Sequence, residues 1–232
     1  MKDRQEYRNI WHPFEGLERR GLFISFDGLD GAGLSTQAEK LCEWMEAQNC
    51  PYYLTKEPSD GPAGAQIRLA LTERLTLDEL TLALFFAADR ADHLANKVIP
   101  LLRDGVNVIS DRYLLSSLAY QGVHIESDWF EYVNIFFPFP DITFFLDVPP
   151  SICMDRIRTN RWHIEKNEKY EELTKVYEQF QQAIARMRSA GAAVSVIRNS
   201  NKNTIHDEVI KKVRQLPLAR REKPTLLSFG TE

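Results

Sequence analysis

Short apolar runs alternate with longer segments of helical periodicity along most of the chain. The apolar runs predict strands at 21–27, 51–56, 106–110, 141–148 and 193–198. Apolar residues three or four positions apart predict helices at 35–48, 65–73, 76–103, 114–136 (broken near Gly122 and Ser127), 167–190 and 204–215, with another starting at Pro149-Pro150. Strands that alternate with helices in this way are typical of an α/β fold with a parallel sheet.

Both ends of the chain differ from this regular part. Residues 1–20 mix basic and acidic side chains with a few aromatic ones, and they predict an N-terminal arm without regular structure. Residues 216–232, which include P-L-A-R-R-E-K-P, predict a C-terminal tail. No linker, repeat or low-complexity tract divides residues 21–215, so we expect them to form one domain.

Composition narrows the classes of function. The chain of 232 residues has 29 Lys and Arg against 33 Asp and Glu, and this net charge of −4 argues against a dedicated nucleic-acid or membrane-surface protein. The three cysteines, Cys42, Cys50 and Cys153, form no C-x-x-C pair and predict a protein without disulfides. No apolar run is long enough to span a membrane and no signal peptide is recognisable, so we expect a soluble, cytoplasmic protein.

A glycine-rich segment lies between the first predicted strand and the first predicted helix. Its sequence, G-L-D-G-A-G-L-S-T from Gly28 to Thr36, has the G-x-x-x-x-G-K-[ST] spacing of a phosphate-binding P-loop. Glycines let the backbone N–H groups point at phosphate oxygens, and the start of the following helix adds partial positive charge. The segment predicts an ATP site formed by Gly28, Gly31, Ala32, Gly33, Leu34, Ser35 and Thr36. The Ser35 hydroxyl stands where a P-loop binds Mg²⁺.

Leu34 stands where a P-loop has lysine. That lysine contacts the β- and γ-phosphates, and the loss of one such preorganised donor typically slows a reaction by about 10²–10³-fold. Because leucine carries no charge, either other cations take over this role or the protein binds nucleotide without fast phosphoryl transfer.

Five blocks between Gly21 and Val213 resemble the thymidylate kinase family. They are F-I-S-F-D-G-L-D-G-A-G-L-S-T-Q, T-K-E-P, F-F-A-A-D-R-A-D-H, S-D-R-Y-L-L-S-S-L-A-Y-Q-G and P-D-I-T-F-F-L-D-V, in the family's order and spacing. The resemblance implies a P-loop nucleoside-monophosphate-kinase fold, with a five-stranded parallel sheet, helices on both faces and a short lid at about 158–168. It also implies Mg²⁺-dependent transfer of the ATP γ-phosphoryl group to dTMP, by a protein that is usually a homodimer.

The resemblance assigns five residues to a dTMP pocket. Phe86 would stack on thymine and Arg90 would hydrogen-bond the base edge, while Tyr120 and Gln121 would line the sugar and base pocket. Lys56 stands where the family usually has arginine, and it keeps the charge but loses the bidentate fork. The sequence leaves structural alternatives open, because a core aromatic, a surface ion pair or a helix-end residue would look the same.

A second group of residues is assigned to the phosphates and the metal. Asp111 and Arg112 directly follow a predicted strand, and ligands of open α/β sheets bind at the carboxyl ends of strands. The resemblance implies that Arg112 holds the dTMP phosphate and that Asp111 organises the Mg²⁺ region together with Ser35. Asp30, inside the loop, corresponds to a family acid near the sugar hydroxyl and the metal. The alternatives are a capping pair for Asp111 and Arg112 and a turn-stabilising role for Asp30.

The family also implies a catalytic arginine. Some members carry it in the P-loop at the position of Gly31, and others supply it from the lid. Glycine excludes the first arrangement, so Arg158 and Arg161 are the candidates for stabilising charge on the migrating phosphoryl group. An exposed basic helix end is the structural alternative.

Two other functions remain open from the sequence. A nucleotide-binding pseudokinase of the same fold would account for Leu34. A kinase for another pyrimidine monophosphate, such as dUMP, would share the same blocks. The retained Phe86, Arg90, Asp111 and Arg112 favour an active dTMP kinase, because a chain that had lost catalysis would have no reason to keep them all.

Overall fold

The computed structural model describes residues 21–125, 127–134, 136–160, 170–198 and 201–218. The predicted arm at 1–20 lies outside these ranges, as do residues 161–168 of the predicted lid and residues 219–232 of the predicted tail. Within the described ranges, no helix is both long enough and apolar enough to cross a bilayer.

Five parallel strands form one sheet, as predicted. They are β1 (Phe23–Gly28), β2 (Tyr52–Lys56), β3 (Asn107–Asp111), β4 (Ile142–Leu146) and β5 (Val194–Ile197). The order across the sheet is β2-β3-β1-β4-β5, which places β1 in the centre. On β1, Phe26 pairs with Asp111 of β3 and with Phe144 of β4. The segments that follow β1 and β3 therefore meet at one edge of the sheet, where α/β proteins bind ligands.

Helices connect the strands and surround the sheet. The α-helices are α1 (Leu34–Ala47), α2 (Pro62–Leu71), α3 (Glu79–His93), α4 (Ile99–Arg103), α5 (Leu114–Tyr120), α6 (Ser127–Asn134), α7 (Pro150–Asn160), α8 (Tyr170–Ser189) and α9 (Lys202–Val213). A π-helical turn, Leu94–Val98, separates α3 from α4, and a 3₁₀ turn, Gln121–Val123, follows α5. The predicted fold class, an α/β fold with a five-stranded parallel sheet, is confirmed.

The segment predicted as a single helix at 76–103 is divided in the structure. Helix α3 ends at His93, the π-helical turn follows, and α4 has Pro100 in its first turn. Proline has no N–H to donate to the carbonyl four residues earlier, so regular α-helical bonding cannot continue through it. Helix α2 starts earlier than predicted because Pro62 fits the first turn of a helix.

The core is built on the central strand. Every residue of β1 is buried, because helices cover the sheet on either side of it. Beyond the end of α9, Leu216 and Leu218 still pack against this core, although the predicted domain boundary was 215. The three cysteines are buried and free.

Candidate active site

The glycine-rich segment forms a tight loop between β1 and α1. Gly31 and Gly33 have positive φ angles of 79° and 98°, which residues with a side chain rarely adopt. A Cβ atom on Gly31 would lie 2.6 Å from the carbonyl oxygen of Cys153, so α7 packs directly against the loop. Helix α1 begins at Leu34, and its first N–H groups have no acceptor within the helix. The backbone therefore has the form of an anion-binding loop.

Leu34 does not extend into the space in front of this loop. Its side chain is only 5% exposed and belongs to the main hydrophobic core. A Cβ atom on Gly28 would lie 3.3 Å from Leu34 Cδ2, so the leucine side chain packs beneath the loop. Ser35, the next residue, is exposed. The phosphate-facing side of the loop thus has a hydroxyl but no lysine ammonium.

Asp30, Arg112 and Tyr120 form one hydrogen-bonded group beside the loop. Arg112 donates to Asp30 Oδ1 over 2.6 Å, and the Tyr120 hydroxyl donates to Asp30 Oδ2 over 2.7 Å. The Tyr120 oxygen also accepts from the Asp30 N–H at 3.0 Å. Arg112 has a further bond, to the carbonyl oxygen of Gly28 at 2.9 Å. These contacts join the residue after β3 and the end of α5 to the loop.

The charges of this group shift its pKa values. Burial alone would lower the pKa of Arg112, but the nearby carboxylates, Asp30 first, outweigh burial and raise it. Burial raises the pKa of Tyr120, and the Asp30 carboxylate adds to the rise. Arg112 has a φ of 74°, a conformation that is strained for a residue with a side chain. The site therefore holds a permanent cation in a fixed and strained position, which is typical of ligand-binding residues.

Asp111 and Ser35 lie in contact at the start of α1. Ser35 Oγ donates to Asp111 Oδ2 over 2.5 Å. Burial raises the pKa of Asp111, although Arg112 and the serine hydroxyl oppose the rise. A half-buried carboxylate and a hydroxyl are hard oxygen donors of the kind that Mg²⁺ prefers, and Mg²⁺ needs only one or two protein ligands when phosphates supply others. The two residues fit the predicted metal site.

A cleft with a volume of about 320 Å³ opens next to the loop. Its lining includes six of the predicted site residues, which are Asp30, Lys56, Phe86, Arg112, Tyr120 and Gln121. Three side chains in the lining are cationic: Lys56, Arg68 and Arg112. Arg68, which was not among the predicted site residues, donates to the carbonyl oxygens of Pro58 and Ser59. The cleft is large enough for a small ligand, and its cations favour an anionic one.

Arg90 lies behind the wall of the cleft. It is fully buried, and its Nε and Nη2 atoms are 3.0 and 2.9 Å from Glu57 Oε2. It also donates to Ser117 Oγ at 2.6 Å and to Asn134 Oδ1 at 2.7 Å. Glu57 and Ser117 line the cleft, so Arg90 is one residue removed from it. The predicted contact between Arg90 and a base edge remains a prediction, and the rival idea of a surface ion pair does not fit its burial.

Only one of the two predicted lid arginines lies within the described residues. Arg158 is exposed on α7, and Arg161 lies outside the described residues. Arg156, on the same helix, was not predicted as a site residue, yet it donates to the carbonyl oxygens of Gly31 and Ala32 at 3.1 and 3.3 Å. Its position in a basic helix directly after the β4 strand was the available signal.

Comparison with known proteins identifies the family. A model of the family described as thymidylate kinase matches residues 26–209. This chain belongs to the thymidylate kinase family. Its thymidylate kinase relatives include a probable thymidylate kinase of Thermococcus kodakarensis, 38% identical over 204 residues that cover 84% of this chain and 98% of the relative. Probable thymidylate kinases of Pyrococcus abyssi and Thermococcus onnurineus are 35% and 36% identical, over 84% and 86% of this chain and 97% and 100% of the relatives. The predicted family is confirmed.

Proposed function

We propose that the protein is an ATP-dependent thymidylate kinase that transfers the γ-phosphoryl group of ATP to dTMP and yields dTDP. The observation that carries this proposal is one shared residue, Asp30. It belongs to the phosphate loop and also lines the cationic cleft, so a donor and an acceptor phosphate would meet beside it. Family membership supports the same reaction.

The acceptor phosphate would lie among the cations of the cleft. Arg112 offers a forked guanidinium already aligned by Asp30, and Lys56 and Arg68 stand at the exposed side. Charge-assisted bonds from a guanidinium to a phosphate are shorter and stronger than neutral ones. Arg158 and Arg161 stay our candidates for stabilising charge on the migrating phosphoryl group, and Arg161 lies outside the described residues.

The base would occupy the part of the cleft next to Phe86. Gln121 offers a buried side-chain carbonyl oxygen that has no hydrogen-bond partner among the described residues. A buried acceptor without a partner is costly, and the N3–H group of thymine would satisfy it. Arg90 would act on the O4 atom of the base. It would do so either through Ser117 or, after a small rearrangement, by a direct hydrogen bond. Tyr120, fixed by Asp30, would crowd the 2′ position and favour deoxyribose.

ATP and Mg²⁺ would bind at the loop. The backbone of residues 28–36 and the start of α1 would hold the polyphosphate, and Ser35 and Asp111 would hold the metal. Bound there, Mg²⁺ would supply positive charge that offsets the negative charge developing on the phosphate oxygens. Exposed leucines on one face of α3, Leu80 and Leu84, support a homodimer, because a second copy would cover them.

The second candidate is a nucleotide-binding pseudokinase, which the burial of Leu34 favours. It would keep the cradle for ATP while lacking the cation that follows the transferring group. A kinase for another pyrimidine monophosphate is a variant of the first proposal rather than a third mechanism.

Substrate choice tests the proposal. In a coupled assay with ATP and Mg²⁺, we expect ADP release with dTMP and much less with dCMP or dAMP, because the Gln121 acceptor and the arginine suit the N3–H and O4 groups of thymine. Calorimetric titration with the same nucleotides should rank their affinities in the same order. Equal affinities for dTMP and dCMP would contradict the pocket assignment, and binding without turnover of any monophosphate would favour the pseudokinase.

A further inference from the structure

Carbonyl oxygens of the phosphate loop are held by two arginines from different parts of the fold, Arg112 directly after β3 and Arg156 on α7. Arg112 donates to Gly28 O, at the beginning of the loop, and Arg156 donates to Gly31 O and Ala32 O, near its end. The loop itself closes with a bond of 3.0 Å from the Ala32 N–H to Leu29 O. The two guanidinium groups therefore brace the turn from outside.

A bond to a carbonyl also decides where the neighbouring N–H points. In a trans peptide the C=O and the N–H of the next residue point in opposite directions. When Arg156 holds Ala32 O outward, it turns the Gly33 N–H toward the inner side, where it joins the first N–H groups of α1. Arg156 thereby favours the backbone arrangement that binds an anion.

Arg156 is important for a second reason, which is the negative charge around the loop. Three carboxylates lie at or next to the loop: Asp27 near the end of β1, Asp30 in the loop itself, and Asp111 at the end of β3. Arg112 offsets one of them through its ion pair with Asp30. A polyphosphate at the loop would still be repelled by the remaining carboxylates unless a further cation lay nearby. Leu34 carries no charge and cannot be that cation.

We propose that Arg156, a residue of helix α7, takes the place of the lysine that Leu34 replaces. It holds the loop in shape and balances the negative charge around it, and it thereby sets the affinity for the ATP phosphates. This inference rests on the proposed binding of ATP at the loop. Arg156 is half-buried, and the loop packs against the backbone of its own helix at Cys153. Its guanidinium is therefore held at a fixed distance from the loop.

A double-mutant cycle between Leu34 and Arg156 tests the proposal. We expect Arg156→Ala to weaken binding of Mg-ATP by about 10- to 100-fold in calorimetry, as the loss of a charge-assisted contact usually does. Binding of dTMP should stay within about twofold. Arg156→Lys should keep part of the affinity, since it keeps the charge and loses the fork.

The second arm of the cycle separates this role from simple support of the fold. Leu34→Lys should restore about tenfold in ATP affinity to the Arg156→Ala protein, and it should change the wild-type protein by less than about threefold. Ser151→Ala is the matched control, because this exposed residue of α7 lies outside the predicted lid and takes no part in the bonds from Arg156 to the loop. Thermal unfolding of each variant shows whether the protein is folded under the conditions of the titration.

The outcomes distinguish this inference from the proposed reaction. A wild-type protein that binds ATP but makes no dTDP would contradict the reaction and leave the role of Arg156 to be decided by the titrations. ATP affinity unchanged by Arg156→Ala would overturn the inference, as would an equal effect of Leu34→Lys in both backgrounds. If Arg156→Ala does not fold, Arg156→Lys and Arg156→Gln carry the comparison, and equal ATP affinities of these two variants would overturn it as well.

Discussion

Arg112→Ala should lower kcat/KM for dTMP by about 10³-fold or more, the largest effect of any single substitution in the cleft. Its guanidinium bonds to Asp30 at 2.6 Å and to Gly28 O at 2.9 Å, and it lines the cleft. Removal takes away the proposed phosphate contact and leaves Asp30 as an unpaired negative charge that repels the same phosphate. Steady-state kinetics with dTMP as the varied substrate measures the effect.

Two variants give the controls for Arg112. Arg112→Lys should retain part of the activity, because a single ammonium keeps the charge but cannot bond to Asp30 and to a phosphate as a fork. Lys211→Ala removes a charge from the exposed side of α9 and should leave kcat/KM unchanged. An Arg112→Ala protein that keeps its dTMP affinity and loses its ATP affinity would reverse the assignment of the two sites.

Glu57→Gln should destabilise the protein by about 3–5 kcal/mol, the expected cost of leaving one partner of a buried ion pair without its countercharge. The side chains of Arg90 and Glu57 are 0% and 3% exposed. Glutamine can still accept one hydrogen bond, but the buried guanidinium then carries an uncompensated charge. Urea unfolding at neutral pH gives the difference in free energy.

An exposed ion pair on the same loop provides the comparison. Lys56 Nζ and Asp60 Oδ1 are 3.9 Å apart, and the two side chains are 60% and 88% exposed. Because an exposed ion pair contributes little, Asp60→Asn should leave the free energy of unfolding unchanged within error. The double variant Glu57→Gln with Arg90→Met should recover part of the lost stability, because it removes the unpaired charge as well. If Glu57→Gln is as stable as the wild-type protein, the buried pair does not have the role assigned to it.

Local sequence pattern was enough to predict the sheet and the phosphate loop. Short apolar runs mark the strands, and the loop glycines fit the positive φ angles at Gly31 and Gly33. The division of the 76–103 helix was missed, although Pro100 was a visible signal. The effect of Pro100 on the helix depends on how the turn before it adapts. A π-helical turn is too rare to be predicted from hydrophobic periodicity.

The site was predicted less completely than the fold. Residues carried by motifs, such as Phe86 and Tyr120, line the cleft, but the partners of Arg90 come from residues 27 to 44 positions away in the chain. Pairings over such distances leave no trace in hydrophobic periodicity. The same holds for Arg156, which bonds to the loop over 125 residues of sequence. Only the assembled fold brings these side chains together.

Transfer of labelled phosphate tests the central claim most directly. The purified protein is incubated with γ-³²P-ATP, Mg²⁺ and dTMP, and the products are separated by chromatography. We expect the label to appear in dTDP and to depend on dTMP, although the loop has Leu34 in place of lysine. Label that stays in ATP, or that appears only as inorganic phosphate at the same rate with and without dTMP, would contradict it.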